Sequence, residues 1–326
     1  SKQRKPADKI NAKNLKSNNR NERKFDTEKN VEKAIMIDAI SKESSVSQIL
    51  KLEETIEALG AEIRDVTNKL GEKSRKPSKI ITDESGKTRD ESFGEIQRAI
   101  ENIEVACGTP ILMAGDVIED IATGIDEMMI RQPLGVTACI TPFNFPSMIV
   151  FWFLPYAIAT GNAFLVKPSE KVPFTMIKIF DLIHQLDIPK GLISMVHGGK
   201  ETVDAILENP TVRAISFVGS TPVARYIYSK GTANGKRVQA QGGAKNPVIV
   251  LPDEDIEMSM KIIADSVYGC AGQRCLAAST IVTVDDQKGE VKDALYEAAK
   301  SRSFVYGWND GISMRPVLTP ESKARI

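Results

Sequence analysis

Hydrophobic and polar positions divide the chain into stretches of different period. Over residues 47–72, Ile49, Leu52, Ile56, Leu59, Ile63, Val66 and Leu70 recur at intervals of 3, 4, 3, 4, 3 and 4. That heptad predicts a coiled-coil-like helix, or an amphipathic helix packed on its own domain. Pro77 and the basic Lys73–Lys79 stretch read as a linker, so 47–79 forms one helix-plus-linker unit. From about Ile80 the pattern alternates between strand and helix, with Ile81–Asp83 leading into a polar turn. Phe93, Ile96, Ile100, Ile103 and Cys107 mark one face of a helix, and Met176, Ile179 and Ile183 mark another over 173–186. Val136–Ile140, Ala163–Val166, Ala214–Val218 and Val248–Leu251 read as strands. Strands alternating with helices predict an α/β fold on a parallel sheet with crossovers.

One apolar stretch imitates a membrane span, because no charge falls between Arg131 and Lys167. Pro142, Pro146 and Pro155 interrupt it, and three prolines would strip backbone bonds from a lipid-exposed helix. A buried strand-loop-helix-strand run predicts the same composition without a membrane.

Composition narrows the classes. The 326 residues allow about two domains at roughly 150 residues each. Lys+Arg and Asp+Glu both number 43, so no global charge favours nucleic acid. Residues 1–30 hold ten Lys/Arg against four Asp/Glu and almost nothing apolar, and 1–46 therefore read as a disordered or weakly helical charged tail. The four cysteines, Cys107, Cys139, Cys270 and Cys275, are too few for a disulfide scaffold and point to a reducing, cytoplasmic setting. Two histidines, His184 and His197, cannot build a multi-histidine metal site, and no metal is expected.

Three constellations bear chemistry. Phe217-Val-Gly-Ser-Thr-Pro222 is a strand entering a helix whose free N–H groups suit a phosphate, or an ordinary βα turn. Thr141-Pro-Phe-Asn-Phe-Pro146 precedes Lys167-Pro-Ser-Glu170. Asn144 in that apolar loop is either an oxyanion donor or a structural brace. Lys167 ends a strand, where cofactor sites of parallel sheets gather. Gly272-Gln-Arg-Cys275 sets a cysteine beside Arg274, which favours a lowered thiol pKa, although a lone cysteine is more often inert. Cys270 and Cys275 lack a second ligand pair for zinc.

Together with Gly242-Gly-Ala-Lys245, these blocks resemble the aldehyde dehydrogenase superfamily in order and interval, over about residues 80–326. Arg131-Gln-Pro-Leu-Gly-Val, Gly243-Ala-Lys-Asn and Gly272-Gln-Arg-Cys are similar to its CoA-acylating branch, the methylmalonate-semialdehyde dehydrogenases. The resemblance implies a Rossmann-type NAD-binding domain over 80–243, with 115–132 as an oligomerisation hairpin, and the first part of an α/β catalytic domain over 244–326. It implies that Cys275 is the nucleophile and that Asn144 holds the oxyanion. Thr141, Phe143, Lys167, Glu170, Lys171, Ser220 and Gly242 would hold NAD, and Arg98 with Arg274 would bind a substrate carboxylate. The implied reaction oxidises malonate or methylmalonate semialdehyde to acetyl-CoA or propionyl-CoA through a cysteine thioester, with the β-carboxylate lost as CO2, as in valine and inositol catabolism. Family members are homo-oligomers, dimers or tetramers.

Gln241 is the informative departure. Hydrolytic relatives carry Glu there as the base that activates water, and an amide cannot accept that proton at neutral pH. A CoA thiol would then release the acyl group. Residues 1–79 are expected to replace the family's first strands and helices, and the family pattern continues beyond Ile326. Weak or absent turnover by this chain alone is therefore expected, with NAD binding better preserved. The competing reading is an inactive NAD-binding fragment or fusion carrying an N-terminal coiled-coil interaction module.

Overall fold

The computed structural model describes residues 71, 74–186, 188–284 and 288–325. The charged tail and the heptad of 49–70 lie outside the described residues.

The first described helix, α1 (Arg75–Ser85), corrects the linker reading of Lys73–Lys79 from Arg75 onward. Pro77 sits in its first turn, where the missing N–H has no intrahelical partner to lose. Pro77, Ser78 and Ile81 are buried, so this stretch is part of the folded body. Gly86 ends α1 at φ 76°, and Thr88 opens α2 (Arg89–Ala106) with a reciprocal capping box to Glu91. Ile96, Ile100 and Ile103 form the buried face of α2, as their spacing predicts. A short α3 (Thr109–Leu112) leads into an antiparallel hairpin, β1 (Asp116–Ala122) and β2 (Ile125–Met129), exposed along its whole length.

The centre is a five-stranded parallel sheet in the order β5-β4-β3-β6-β7. Its strands are β3 (Val136–Ile140), β4 (Ala163–Lys167), β5 (Ile193–Met195), β6 (Val212–Val218) and β7 (Arg237–Gln241). The helices between them are α4 (Met148–Phe151), α5 (Leu154–Ala159), α6 (Phe174–Ile183), α7 (Lys200–Glu208) and α8 (Thr221–Ala233). The charge-free stretch is thus β3, α4, α5 and β4, buried because both faces of the sheet are covered. Successive residues alternate between two cores. Cys139, Phe164 and Val166 pack with α1, α2 and α6, whereas Ala138, Ile140 and Leu165 pack with α7 and α8. No described helix is long and apolar enough to cross a membrane.

The chain walks outward from β3 to β5 and then returns to place β6 on the other side of β3. That reversal opens a crevice at the carboxyl ends of β3 and β6, the usual ligand position in such sheets. Beyond β7, a parallel pair β8 (Pro247–Val250) and β9 (Thr280–Thr283) packs on α9 (Ile256–Tyr268) and α10 (Lys288–Lys300). A last helix, α11, spans Pro320–Arg325.

Candidate active site

The loops leaving β3, β4, β6 and β7 meet at the carboxyl edge of the sheet. Thr141 follows β3 directly, and its N–H donates to the Lys167 carbonyl at 3.2 Å, locking two strand exits together. Its hydroxyl is buried and has no hydrogen-bond partner among the described residues. Lys167 is also buried, and its Nζ donates to Glu170 Oε2 at 2.8 Å. Burial, the largest influence, opposes ionisation of Glu170, but the Lys167 hydrogen bond, a backbone hydrogen bond and the charges of Lys167 and Lys171 together hold the carboxyl below its ordinary value. The Lys171 ammonium lies 5.3 Å from the centre of the Phe143 ring, a cation–π contact.

Across the crevice, α8 begins at Thr221 after Ser220, whose side chain makes no cap hydrogen bond. Its first N–H groups are therefore available to an anion. Gly242 follows β7 and packs against this helix start; a Cβ there would sit 3.3 Å from the Thr221 Cα. Gly243 N–H donates to Thr221 Oγ1 at 3.0 Å. Gln241 closes β7 beside Val218, and its carbonyl accepts from Gly219 N–H at 3.0 Å.

The cysteine loop approaches from the other side. After α9 the backbone enters a left-handed turn, with Cys270 at φ 51°, Ala271 at 54° and Gly272 at 68°. Two non-glycine residues in that region store strain of about 1–2 kcal/mol each. The turn is held by Glu91, whose Oε1 accepts from Cys270 N–H at 2.6 Å while its Oε2 accepts from Thr88 N–H. Gln273 N–H donates back to the Cys270 carbonyl at 3.0 Å. Cys275 emerges half-buried, its carbonyl accepting from Asn246 Nδ2 at 2.7 Å. Cys270 is buried instead, and burial pushes its thiol up to about 11 against the opposing charge of Lys87. Cys139 is fully buried and likewise held as a thiol. Among the four cysteines, these two are thus poor nucleophiles.

Asn144 joins the two sides. Its Nδ2 donates to the Gln273 carbonyl at 2.9 Å, linking the β3 exit to the residue two positions before Cys275. Ser147 and Met148, just beyond, donate their N–H groups to Glu95 Oε1 at 2.7 and 3.2 Å. Glu95 also pairs with Lys87, both fully buried, and Lys87 lies 3.7 Å from the Phe145 ring centre.

Arg98 is exposed on α2. It shares a stripe with Glu91 and Glu95 at helical spacing, about 10 Å along the axis from Glu91. The Arg274 guanidinium lies over Gly269, where a Cβ would meet it at 2.7 Å. Neither guanidinium has an ion-pair partner among the described residues.

Sequence reading missed Lys87, Glu91, Glu95 and Arg315, and it gave Gln273 no role beyond its place in the Gly272–Cys275 block. Arg315 is wholly buried and donates to the Ser85 carbonyl and to Gln273 Oε1. Only the capping-box spacing Thr88-x-x-Glu91 left a local signal for any of them.

The aldehyde dehydrogenase family model matches residues 28–326. The match starts well upstream of Ile80, so most of the segment expected to replace the family's first elements falls inside the family span. The chain is 44% identical over 250 residues to the malonate-semialdehyde dehydrogenase of Pseudomonas aeruginosa, covering 76% of this chain and 50% of that one. It is 45% identical over 248 residues to malonate-semialdehyde dehydrogenase 2 of Bacillus mycoides, covering 76% and 51%. The chain thus spans about half the length of the curated relatives it matches. A Sinorhizobium meliloti methylmalonate-semialdehyde dehydrogenase structure complexed with NAD superposes with a TM-score of 0.85 at 36% identity, over 92% of this chain and 60% of that one. The Oceanimonas doudoroffii methylmalonate-semialdehyde dehydrogenase gives 0.84 at 35% identity, over 91% and 59%. Sheet order, cysteine loop and sequence similarity agree: the chain belongs to the aldehyde dehydrogenase family.

Proposed function

We propose that this chain provides the nucleotide crevice and the nucleophile of an NAD-dependent, CoA-acylating oxidation of malonate or methylmalonate semialdehyde. The observation that supports it most is the Asn144–Gln273 hydrogen bond, which brings an amide donor to the loop of the half-exposed Cys275.

The crevice suits a dinucleotide. The unpartnered Thr141 hydroxyl, the Lys167 ammonium, the uncapped start of α8 after Ser220 and the close-packed Gly242 offer donors and room for ribose and phosphate. Phe143, Lys171 and Glu170 complete its rim. When bound, NAD supplies the hydride acceptor.

The protein's part begins with Cys275. Its sulfur attacks the aldehyde carbon; the C–S bond forms and the carbonyl electron pair moves onto oxygen. The Asn144 amide donates to that oxyanion, a role whose loss typically lowers rate about 10²–10³-fold. After oxidation the acyl group remains on Cys275 as a thioester. Gln241 cannot take a proton from water, so a CoA thiolate is the better acceptor. Arg98 and Arg274, both without ion-pair partners among the described residues, would meet the substrate carboxylate through bidentate guanidinium contacts. The exposed apolar hairpin β1–β2, with Val117, Ile121, Ile125 and Met128 open to solvent, supports a homo-oligomer. Four cysteines without a disulfide are in keeping with a cytoplasmic setting.

The test is the adduct. Incubation with NAD and malonate semialdehyde should form one NADH per chain and an acyl group mapped by mass spectrometry to Cys275, released by CoA and not by water. Absence of NAD binding by calorimetry, or an adduct that survives in Cys275→Ser, would refute the reading.

A further inference from the structure

Asn144 can serve an oxyanion only if its amide presents nitrogen rather than oxygen to the site. A side-chain amide rotated by half a turn fills the same space, so packing alone does not choose. The choice is made by the Gln273 carbonyl: facing it, Nδ2 makes a hydrogen bond at 2.9 Å, whereas Oδ1 would meet another acceptor. Asn144 Oδ1 is buried and has no hydrogen-bond partner among the described residues, so among them no second contact favours the same orientation. With one N–H on the Gln273 carbonyl, the other N–H of the same planar group has a fixed direction.

The Gln273 carbonyl must therefore be held, yet it follows the strained left-handed turn of 270–272. Its side chain is held from an unexpected quarter. Arg315, 42 residues further on and fully buried, donates through Nη2 to Gln273 Oε1 at 2.9 Å and through Nη1 to the Ser85 carbonyl at the end of α1. A planar guanidinium spans both acceptors at once, which a lysine ammonium at one point cannot do as well. Its charge lies among Glu91, Glu95 and Cys270, and Glu91 holds the same turn at Cys270 N–H.

We propose that Arg315 is a positioning residue for the oxyanion site: through Gln273 it fixes the carbonyl that orients the Asn144 amide. This rests on the proposed function of Cys275 and Asn144. The guanidinium touches neither substrate nor nucleophile.

The experiment separates orientation from folding and from thiol reactivity. Iodoacetamide alkylates Cys275 by displacing iodide and needs no oxyanion donor. Malonate semialdehyde protects the thiol by forming a hemithioacetal, which does. Both are measured by mass spectrometry on the full chain, with circular dichroism as the folding check. In Arg315→Met and in Gln273→Met the bare alkylation rate should stay within about twofold of wild type, while the aldehyde concentration for half-protection should rise about tenfold or more, in line with partial loss of an oxyanion donor. Arg315→Lys should fall between. Gln273 is only half-buried, so Gln273→Met keeps the test available if Arg315→Met does not fold. Unchanged protection in folded Gln273→Met would overturn the proposal and leave the proposed function standing. A general loss of alkylation alongside protection would also overturn it, as a merely structural role. No aldehyde protection of wild-type Cys275 would bring down both.

Discussion

The Lys87–Glu95 pair offers the sharpest stability test, because both side chains are wholly buried and both touch the site's scaffold. Glu95 spends one oxygen on Lys87 and the other on the N–H groups of Ser147 and Met148, at the start of α4. Glu95→Gln keeps an acceptor for those N–H groups but leaves the Lys87 ammonium unpaired. Breaking a buried pair in this way costs about 3–5 kcal/mol. The Phe145 ring faces the Lys87 ammonium before and after the change and keeps it from being bare, which puts the expected loss at the low end, about 3 kcal/mol. Lys87→Met should cost a similar amount, since Glu95 then keeps only its two backbone donors. The double variant leaves no buried charge at the pair, and its loss should fall to about 1 kcal/mol, well short of the additive sum. Urea unfolding followed by circular dichroism reads these values, and a 3 kcal/mol loss lowers Tm by roughly 6–12 °C for a domain of this size. An additive double variant would refute the reasoning, because the two groups would then act independently.

Two further outcomes follow from the site. Gln241→Glu should restore a base at the end of β7, so that the Cys275 acyl adduct hydrolyses without CoA about 10²-fold faster; an unchanged lifetime in water would contradict the role assigned to Gln241. Burial, and then the charge of Lys167, hold His197 below the ordinary histidine value of 6.5. The unfolded chain therefore binds the extra proton first, and stability should decline as pH falls from about 6.5 toward the lower folded value, then level off. His197→Asn should flatten that part of a Tm-against-pH curve, and an unchanged slope would remove His197 as its source.

Much of the architecture was legible from local pattern. The charge-free, largely apolar runs at 136–140 and 163–166 become strands β3 and β4, because both faces of a parallel sheet are covered. Pro142, Pro146 and Pro155 correctly marked the charge-free stretch between Arg131 and Lys167 as core rather than membrane. Strand exits with Gly, Ser, Thr and Pro placed the crevice, and the cysteine loop was visible as Gly-x-x-Cys. The sequence misled at Lys73–Lys79, where a proline and four basic residues suggested a linker. A proline in a first turn loses nothing, and the helix is retained by burial of Ile81 that no local signal announces.

By itself, then, the sequence determined the alternation of strand and helix and the family pattern, and it supplied the side chains proposed to react. These are properties of period and residue type, which neighbouring positions already express. Only the tertiary structure decided which charges are buried. Nothing along the chain marks Lys87, Glu95 and Arg315 as buried, and charged side chains are seldom fully enclosed. Arg315 meets the Ser85 carbonyl across 230 positions, and Glu91 meets Cys270 N–H across 179. The free energy that favours those contacts exists only once the chain has removed water from around them, so no stretch of sequence contains it.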